Sequence, residues 1–207
     1  STLSSSSAAS DVYKRQKQFR MTKRELKEVL QRDLERYEGK APSLKDRLVN
    51  NEGWFVYHLI KHIRYMEYHI CNKGAWHKLA YFGHWYCYKR LSMRLHITIY
   101  PGTIDTGFRI YHVGGFTHIG PDCRIGKNCT IVSGVVFGHK YENSMDEKVV
   151  VGDNCYFGVG VKVIGSVRIG NNVTIGANAV VTHDIPDNAV VGGVPVSYTH
   201  LTLPTKR

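Results

Sequence analysis

A six-residue period governs the second half of this chain. Ile104, Ile110 and Phe116 form one apolar frame, and Ile119, Ile125, Ile131 and Phe137 a second. Val151, Phe157, Val163, Ile169, Ile175 and Val181 form a third. Glycine follows the apolar residue at positions 120, 126, 138, 152, 158, 170 and 176. Four residues after the apolar position there usually stands a small or β-branched side chain, as at Cys123, Cys129, Val135, Cys155, Val161, Val167, Val173 and Ala179. A period of six fits neither the 3.6-residue helix nor the two-residue alternation of a hairpin. It predicts a parallel β-helix, in which each short strand stacks on its equivalent one coil away. Gly152-Asp-Asn154 and Gly170-Asn-Asn172 then read as turns with permissive backbone. The period fails twice. The frame shifts by three residues between Phe116 and Ile119, and a polar excursion follows Phe137-Gly138 and runs to Lys148. Loops carried by a rigid scaffold are common binding sites.

The first half differs in kind. Residues 17–100 carry 17 Lys+Arg against 8 Asp+Glu, a net +9, and residues 101–195 carry 7 against 8, a net −1. The chain's overall charge of +11 therefore resides in the N-terminal half and its ends. Thr22-Lys-Arg-Glu25 has the pattern of a capping box, followed by Leu26, Val29, Leu30, Leu34 and Tyr37 at helical spacing, with Gly39 as the stop. Phe55, Leu59, Ile63, Met66 and Ile70 mark a second helix, with Lys61 and Arg64 among its polar positions. A third helix is predicted over about 75–94, rich in Trp76, Tyr81, Phe82, Trp85, Tyr86 and Tyr88 and ending in Lys89, Arg90 and Arg94. The favoured reading is a helical cap with its aromatics packed on the neighbouring domain. A peripheral membrane-surface contact is the sharper alternative. No helix-turn-helix, zinc-finger or RNA-recognition signature supports nucleic acid as a partner.

No run reaches the roughly 20 apolar residues of a membrane span. Cys123, Cys129 and Cys155 occupy the inward small position of the repeat, where a thiol acts as a small hydrophobe, and their spacing makes no metal site. Five thiols with no evident pairing and no secretory signal point to the cytoplasm. The Asn-x-Thr triplets at Asn128 and Asn172 read as turn chemistry. Residues 1–16 and 196–207 read as non-native, adapter-derived tails. This gives a helical segment over 17–100 and a β-helical domain over 101–195 with a loop at 138–149.

Residues 101–195 resemble the hexapeptide-repeat acyltransferases of the left-handed β-helix class. They are most similar to the serine O-acetyltransferase family, in the shorter form found in bacterial surface-polysaccharide gene clusters. The residues carrying the likeness are Gly107-Phe-Arg-Ile-Tyr-His112-Val-Gly-Gly115, Ile125-Gly-Lys-Asn-Cys-Thr-Ile131 and Val151-Gly-Asp-Asn-Cys-Tyr-Phe-Gly158. Ile169-Gly-Asn-Asn-Val-Thr-Ile-Gly-Ala-Asn-Ala-Val-Val181 and the closing Gly192-Gly-Val-Pro195 continue it, and Leu34-Glu-Arg-Tyr-Glu-Gly-Lys40 extends it to the helical segment.

The resemblance implies a homotrimer that binds acetyl-CoA between adjacent β-helices and transfers the acetyl group to a hydroxyl. It implies a histidine base at the position of His112, with a turn histidine as the alternative. The family's orienting Asp has no counterpart at Ile97–Tyr100, which leaves Asp105 as the nearest upstream acid. A second family histidine is replaced by Asp146-Glu-Lys148, with His139 either a substitute or simply exposed, and His118 and His183 read as structural or exposed. The family's CoA contacts fall on Gly158, Gly160, Gly176 and Ala177, with Lys162 as a candidate for a CoA phosphate. No metal is implied. The expected activity is serine O-acetylation. O-acetylation of a polysaccharide sugar, a non-catalytic β-helix scaffold and a membrane-surface module remain as alternatives.

Overall fold

The computed structural model describes residues 21–37, 41–140 and 148–198. Its first part is helical: α1 (Lys23–Glu35), α2 (Leu44–Leu48), α3 (Glu52–Cys71) and α4 (Ala75–Leu95). The capping box forms in both directions. Thr22 Oγ1 accepts the Glu25 N–H at 3.2 Å, and the Glu25 carboxylate accepts the Thr22 N–H at 2.6 Å. Gly39, the expected stop of α1, lies outside the described residues. Helix α4 ends at His96, whose φ of 56° is left-handed.

The strands follow: β1 (Ile97–Ile99), β2 (Arg109–Tyr111), β3 (Thr117–Ile119), β4 (Cys123–Ile125), β5 (Thr130–Val132), β6 (Val136–Gly138) and β7 (Val149–Val151). Then come β8 (Tyr156–Phe157), β9 (Lys162–Ile164), β10 (Val167–Ile169), β11 (Thr174–Ile175), β12 (Val180–Val181), β13 (Val190–Gly192) and β14 (Ser197–Tyr198). From β2 onward they visit three sheets in rotation. The first sheet is β1-β3-β6-β9-β12, the second β4-β7-β10, and the third β2-β5-β8-β11-β13-β14. Every pairing is parallel except β13 with β14. The result is the expected parallel β-helix, a three-sided prism.

The register explains both interruptions. Ile119 pairs with Phe137 and Val163 with Val181, so a plain coil takes 18 residues. Ile110 pairs with Ile131, 21 residues on, because the corner after β2 holds the three-residue frame shift. Phe137 pairs with Val163, 26 residues on, because that coil contains the excursion after Gly138. All frame residues are buried except Phe116, which is 60% exposed. The frame shift places it on the outside of a corner, against the expectation from spacing alone. Cys123, Cys129 and Cys155 are buried as expected. The turn asparagines do more than relax the backbone. Asn128, Asn154, Asn172 and Asn188 share a left-handed φ of 56–60°. Each amide donates to the next, at 3.2, 3.2 and 2.9 Å, forming a ladder down one edge of the prism.

The helices cap the N-terminal end of the prism. β1 pairs with β3, so the sheet begins at Ile97, ahead of the boundary expected near Tyr100-Pro101-Gly102. The Tyr88 hydroxyl donates to the Ile99 carbonyl and accepts the Ile99 N–H, at 2.7 and 2.9 Å. Arg64, assigned to a polar face, is instead buried. Its guanidinium pairs with Asp33 at 2.8 Å and Glu67 at 3.2 Å, and donates to the carbonyls of Ile104 and Asp105 at 2.8 and 2.6 Å. Asp33 also accepts the Gly107 N–H, and Glu67 the Gly102 N–H, both at 2.7 Å. At the far end, Val196 is buried and β14 pairs with β13, so residues 196–198 of the segment read as a tail take part in the fold. Residues 1–16 and 199–207 lie outside the described residues.

Two stability predictions follow from these contacts. Asp33→Ala leaves Arg64 buried with one carboxylate fewer, and lowers the unfolding free energy in urea by about 3–5 kcal/mol. The second concerns the seam between α3 and α4. There His62 and His84 meet at 2.9 Å through their Nδ1 atoms, as do His69 and His77. Burial, with His84 next, pushes His62 down to about 4, and burial also lowers His58, His69 and His84. The unfolded chain therefore takes up these protons first. Their contribution is intact above the unfolded value near 6.5 and is lost as pH falls toward 4. Tm should be lower at pH 5 than at pH 7.5, and His62→Leu with His84→Leu should narrow that gap.

Candidate active site

The corner after β2 sets the site. His112 stands there with a φ of 61°, in a left-handed conformation uncommon for a non-glycine residue. Its side chain is 70% exposed, and Nδ1 lies 2.9 Å from Glu52 Oε1. The other oxygen of Glu52 accepts the Val113 N–H at 3.3 Å. A carboxylate only accepts, so Nδ1 carries the hydrogen, and in the neutral ring Nε2 keeps its lone pair facing outward. Glu52 is the first residue of α3, whose cap Asn51 accepts the Gly53 N–H at 2.8 Å. The helix N-terminus favours a carboxylate at this place.

This acid is the partner of His112 that sequence reasoning missed. Asp105, the nearest acid upstream, points elsewhere: its carboxylate accepts the Thr106 N–H at 2.6 Å, and it lines a cleft with Arg64, Glu67 and Arg124. Glu52 lies 60 residues from His112 in sequence and meets it only because the helices dock on the first coil. Its place at the head of a helix was readable, but its pairing was not.

The proposed CoA residues share the edge that His112 opens. This edge joins the third sheet to the first, and its turns are tied together by their backbone N–H groups. The Gly115 N–H donates to Ser133 Oγ at 2.8 Å, the Gly160 N–H to the Ser133 carbonyl at 2.9 Å, and the Asn178 N–H to the Val159 carbonyl at 2.7 Å. Gly158, Gly160, Gly176 and Ala177 therefore lie along one line below His112. Stacking is tight enough to demand glycine: a Cβ on Gly158 would come within 2.7 Å of the Ala177 nitrogen. Lys162, at the start of β9, directs its ammonium to the Gly134 carbonyl and so staples two turns of this edge.

His139 belongs to a different edge, between the first and second sheets. Its Nε2 lies 3.4 Å from Asp122 Oδ2. It lines a small recess with His118, whose pKa is lowered by burial and then by His139. The His118 ring stacks on Phe116 with centroids 5.9 Å apart. His183 occupies a half-buried turn position on that same edge. Residues 141–147 of the excursion, with Asp146 and Glu147, lie outside the described residues. Among the described residues no group of three His, Cys, Asp or Glu side chains is placed to hold a metal ion, and no helix is long and apolar enough to cross a membrane.

Residues 148–183 match the family model described as bacterial transferase hexapeptide (six repeats), and residues 117–140 match the hexapeptide repeat of succinyl-transferase. A serine acetyltransferase of Bacillus subtilis (strain 168) is 39% identical over 100 residues, which are 48% of this chain and 46% of that protein. The match thus spans about half the length of this curated relative. Among solved structures, a Neisseria gonorrhoeae serine acetyltransferase superposes with a TM-score of 0.68 at 24% identity, covering 94% of this chain and 71% of that one. A Brucella abortus serine acetyltransferase in complex with coenzyme A gives 0.65 at 21% identity, covering 93% and 72%. At these identities the structural likeness establishes the fold, the left-handed β-helix with helices before it. The chain therefore carries hexapeptide repeats like those of bacterial transferases and, over 100 residues, is similar in sequence to serine acetyltransferases.

Proposed function

We propose that this chain is an acetyl-CoA-dependent O-acetyltransferase whose acceptor is L-serine, giving O-acetyl-L-serine and CoA for cysteine synthesis. The observation that carries the reading is the His112–Glu52 pair at 2.9 Å, standing on the glycine-lined edge that holds Gly158, Gly160, Gly176 and Ala177. The sequence relatives named serine acetyltransferase support the acceptor.

In this mechanism His112 Nε2 takes the proton of the serine hydroxyl as its oxygen attacks the thioester carbonyl. Glu52 holds the ring by Nδ1 and stabilises the imidazolium that forms. The tetrahedral oxyanion collapses, the C–S bond breaks, and the leaving thiolate takes the proton back from Nε2. Gly158 and its neighbours let the CoA chain approach the backbone closely. Lys162 serves this edge by fixing the turns, and its reach to a CoA phosphate would require giving up Gly134. One protomer leaves His112 open to solvent, and its own His139 lies on another edge. A homotrimer would close the groove and could bring the His139 of a neighbouring copy to the acceptor. Use of acetyl-CoA, together with free cysteines, fits a cytoplasmic enzyme.

A second acceptor, a sugar hydroxyl of a surface polysaccharide, is favoured by one observation, the aromatic and basic outer face of α4. Thiol release from acetyl-CoA with L-serine or with sugar acceptors separates the two. CoA release with serine is the expected result. Release with sugar alone would replace the acceptor, and no release with either would leave a non-catalytic scaffold. His112→Ala should lower kcat about 10²–10⁴-fold with the oligomer intact. Glu52→Gln should lower kcat about a hundredfold, because the amide donates to Nδ1 and moves the ring hydrogen to Nε2. Nitrogen NMR of the His112 ring should show that tautomer change.

A further inference from the structure

Helix α4 presents an outer face that the described residues leave uncovered. Trp76, Leu79, Phe82, Tyr86 and Met93 are 71%, 65%, 62%, 57% and 75% exposed. Their spacing places them along one side of the helix. The expectation that these aromatics pack on the neighbouring domain holds for Tyr88, which is buried, and for Tyr81, which is partly buried against the core. It fails for Trp76, Phe82, Trp85 and Tyr86.

The charge on α4 has one sign. Lys78, Lys89, Arg90 and Arg94 lie on α4, and no Asp or Glu occurs anywhere from residue 68 to residue 104. The short helix α2 adds Leu44 and Leu48, 73% and 82% exposed, with Lys45, Asp46 and Arg47 between them, a net positive charge. It stands at the C-terminal end of α4, where Arg94 donates to Asn50 Oδ1 at 2.9 Å.

An apolar and aromatic stripe flanked by cations suits the headgroup region of an anionic bilayer, where tryptophan and tyrosine sit at the interface and Lys and Arg meet lipid phosphates. A second copy of this chain suits it poorly, since two faces of net positive charge repel one another. We propose that α4, with α2 beside it, docks this protein on the surface of an anionic phospholipid bilayer. The helix lies in the plane of the interface and the β-helix projects into the water.

Flotation of the full chain with vesicles tests this directly. Phosphatidylcholine vesicles containing phosphatidylglycerol should retain the protein at least about tenfold better than phosphatidylcholine alone, with salt weakening the binding. Tryptophan emission should shift to the blue on binding. Trp76→Ser with Phe82→Ser, and separately Lys89→Glu with Arg90→Glu, should each lose that retention while keeping the wild-type circular dichroism spectrum and oligomer mass. Equal retention on neutral and anionic vesicles, or none on either, overturns the proposal. So does a fall in oligomer mass in the Trp76→Ser, Phe82→Ser variant, which would assign the face to a second copy.

Discussion

A single buried guanidinium ties the two halves of this protein together. Arg64 leaves α3, pairs with Asp33 of α1 and Glu67 of its own helix, and donates to two carbonyls of the first coil. Its two carboxylates reach on to the N–H groups of Gly107 and Gly102. Buried charge is tolerated only when it is paired and its remaining hydrogen-bonding capacity is used, and here both conditions are met. The effect is orientation. A β-helix has an open end whose apolar core and unpaired strand edges need a cap. Apolar packing of Phe55, Leu59, Ile63 and Met66 covers that end, while the Arg64 cluster fixes how the helices sit on it.

That orientation builds the site. With α3 held on the first coil, its N-terminus comes to the corner after β2, and Glu52 reaches His112. The corner contributes the rest. Its three extra residues let the chain take a left-handed turn at His112 and expose the ring above a line of glycine turns. The proposed base thus comes from the repeat domain and its orienting carboxylate from the helices. Neither half alone holds both members of the proposed pair.

The scaffold was legible because its period is a direct consequence of stacking. Every frame residue except Phe116 is inside, and the two interruptions stand where the register lengthens. The rest was hidden because it depends on tertiary placement. Spacing marked Arg64 as polar, and only the docking of α1 and of the first coil brings it the carboxylate of Asp33 and the carbonyls of Ile104 and Asp105. Proximity in sequence suggested Asp105 as the orienting acid, and docking delivers Glu52 from 60 residues away. Phe116 follows the arithmetic of the first frame but lies just before the shift that ends it. Asn128, Asn154 and Asn172 were readable as turn formers, and Asn188 joined them only in the structure. Their mutual hydrogen bonds needed the coils to be in register.

The claim that the helical half completes the active site is tested most directly by a double-mutant cycle on acetyl transfer. kcat/KM is measured for the wild type, Glu52→Gln, His112→Ala and the double variant. If Glu52 acts through the ring of His112, the double variant will be no slower than His112→Ala alone. Losses that multiply in the double variant would show the two side chains acting independently and would contradict the account.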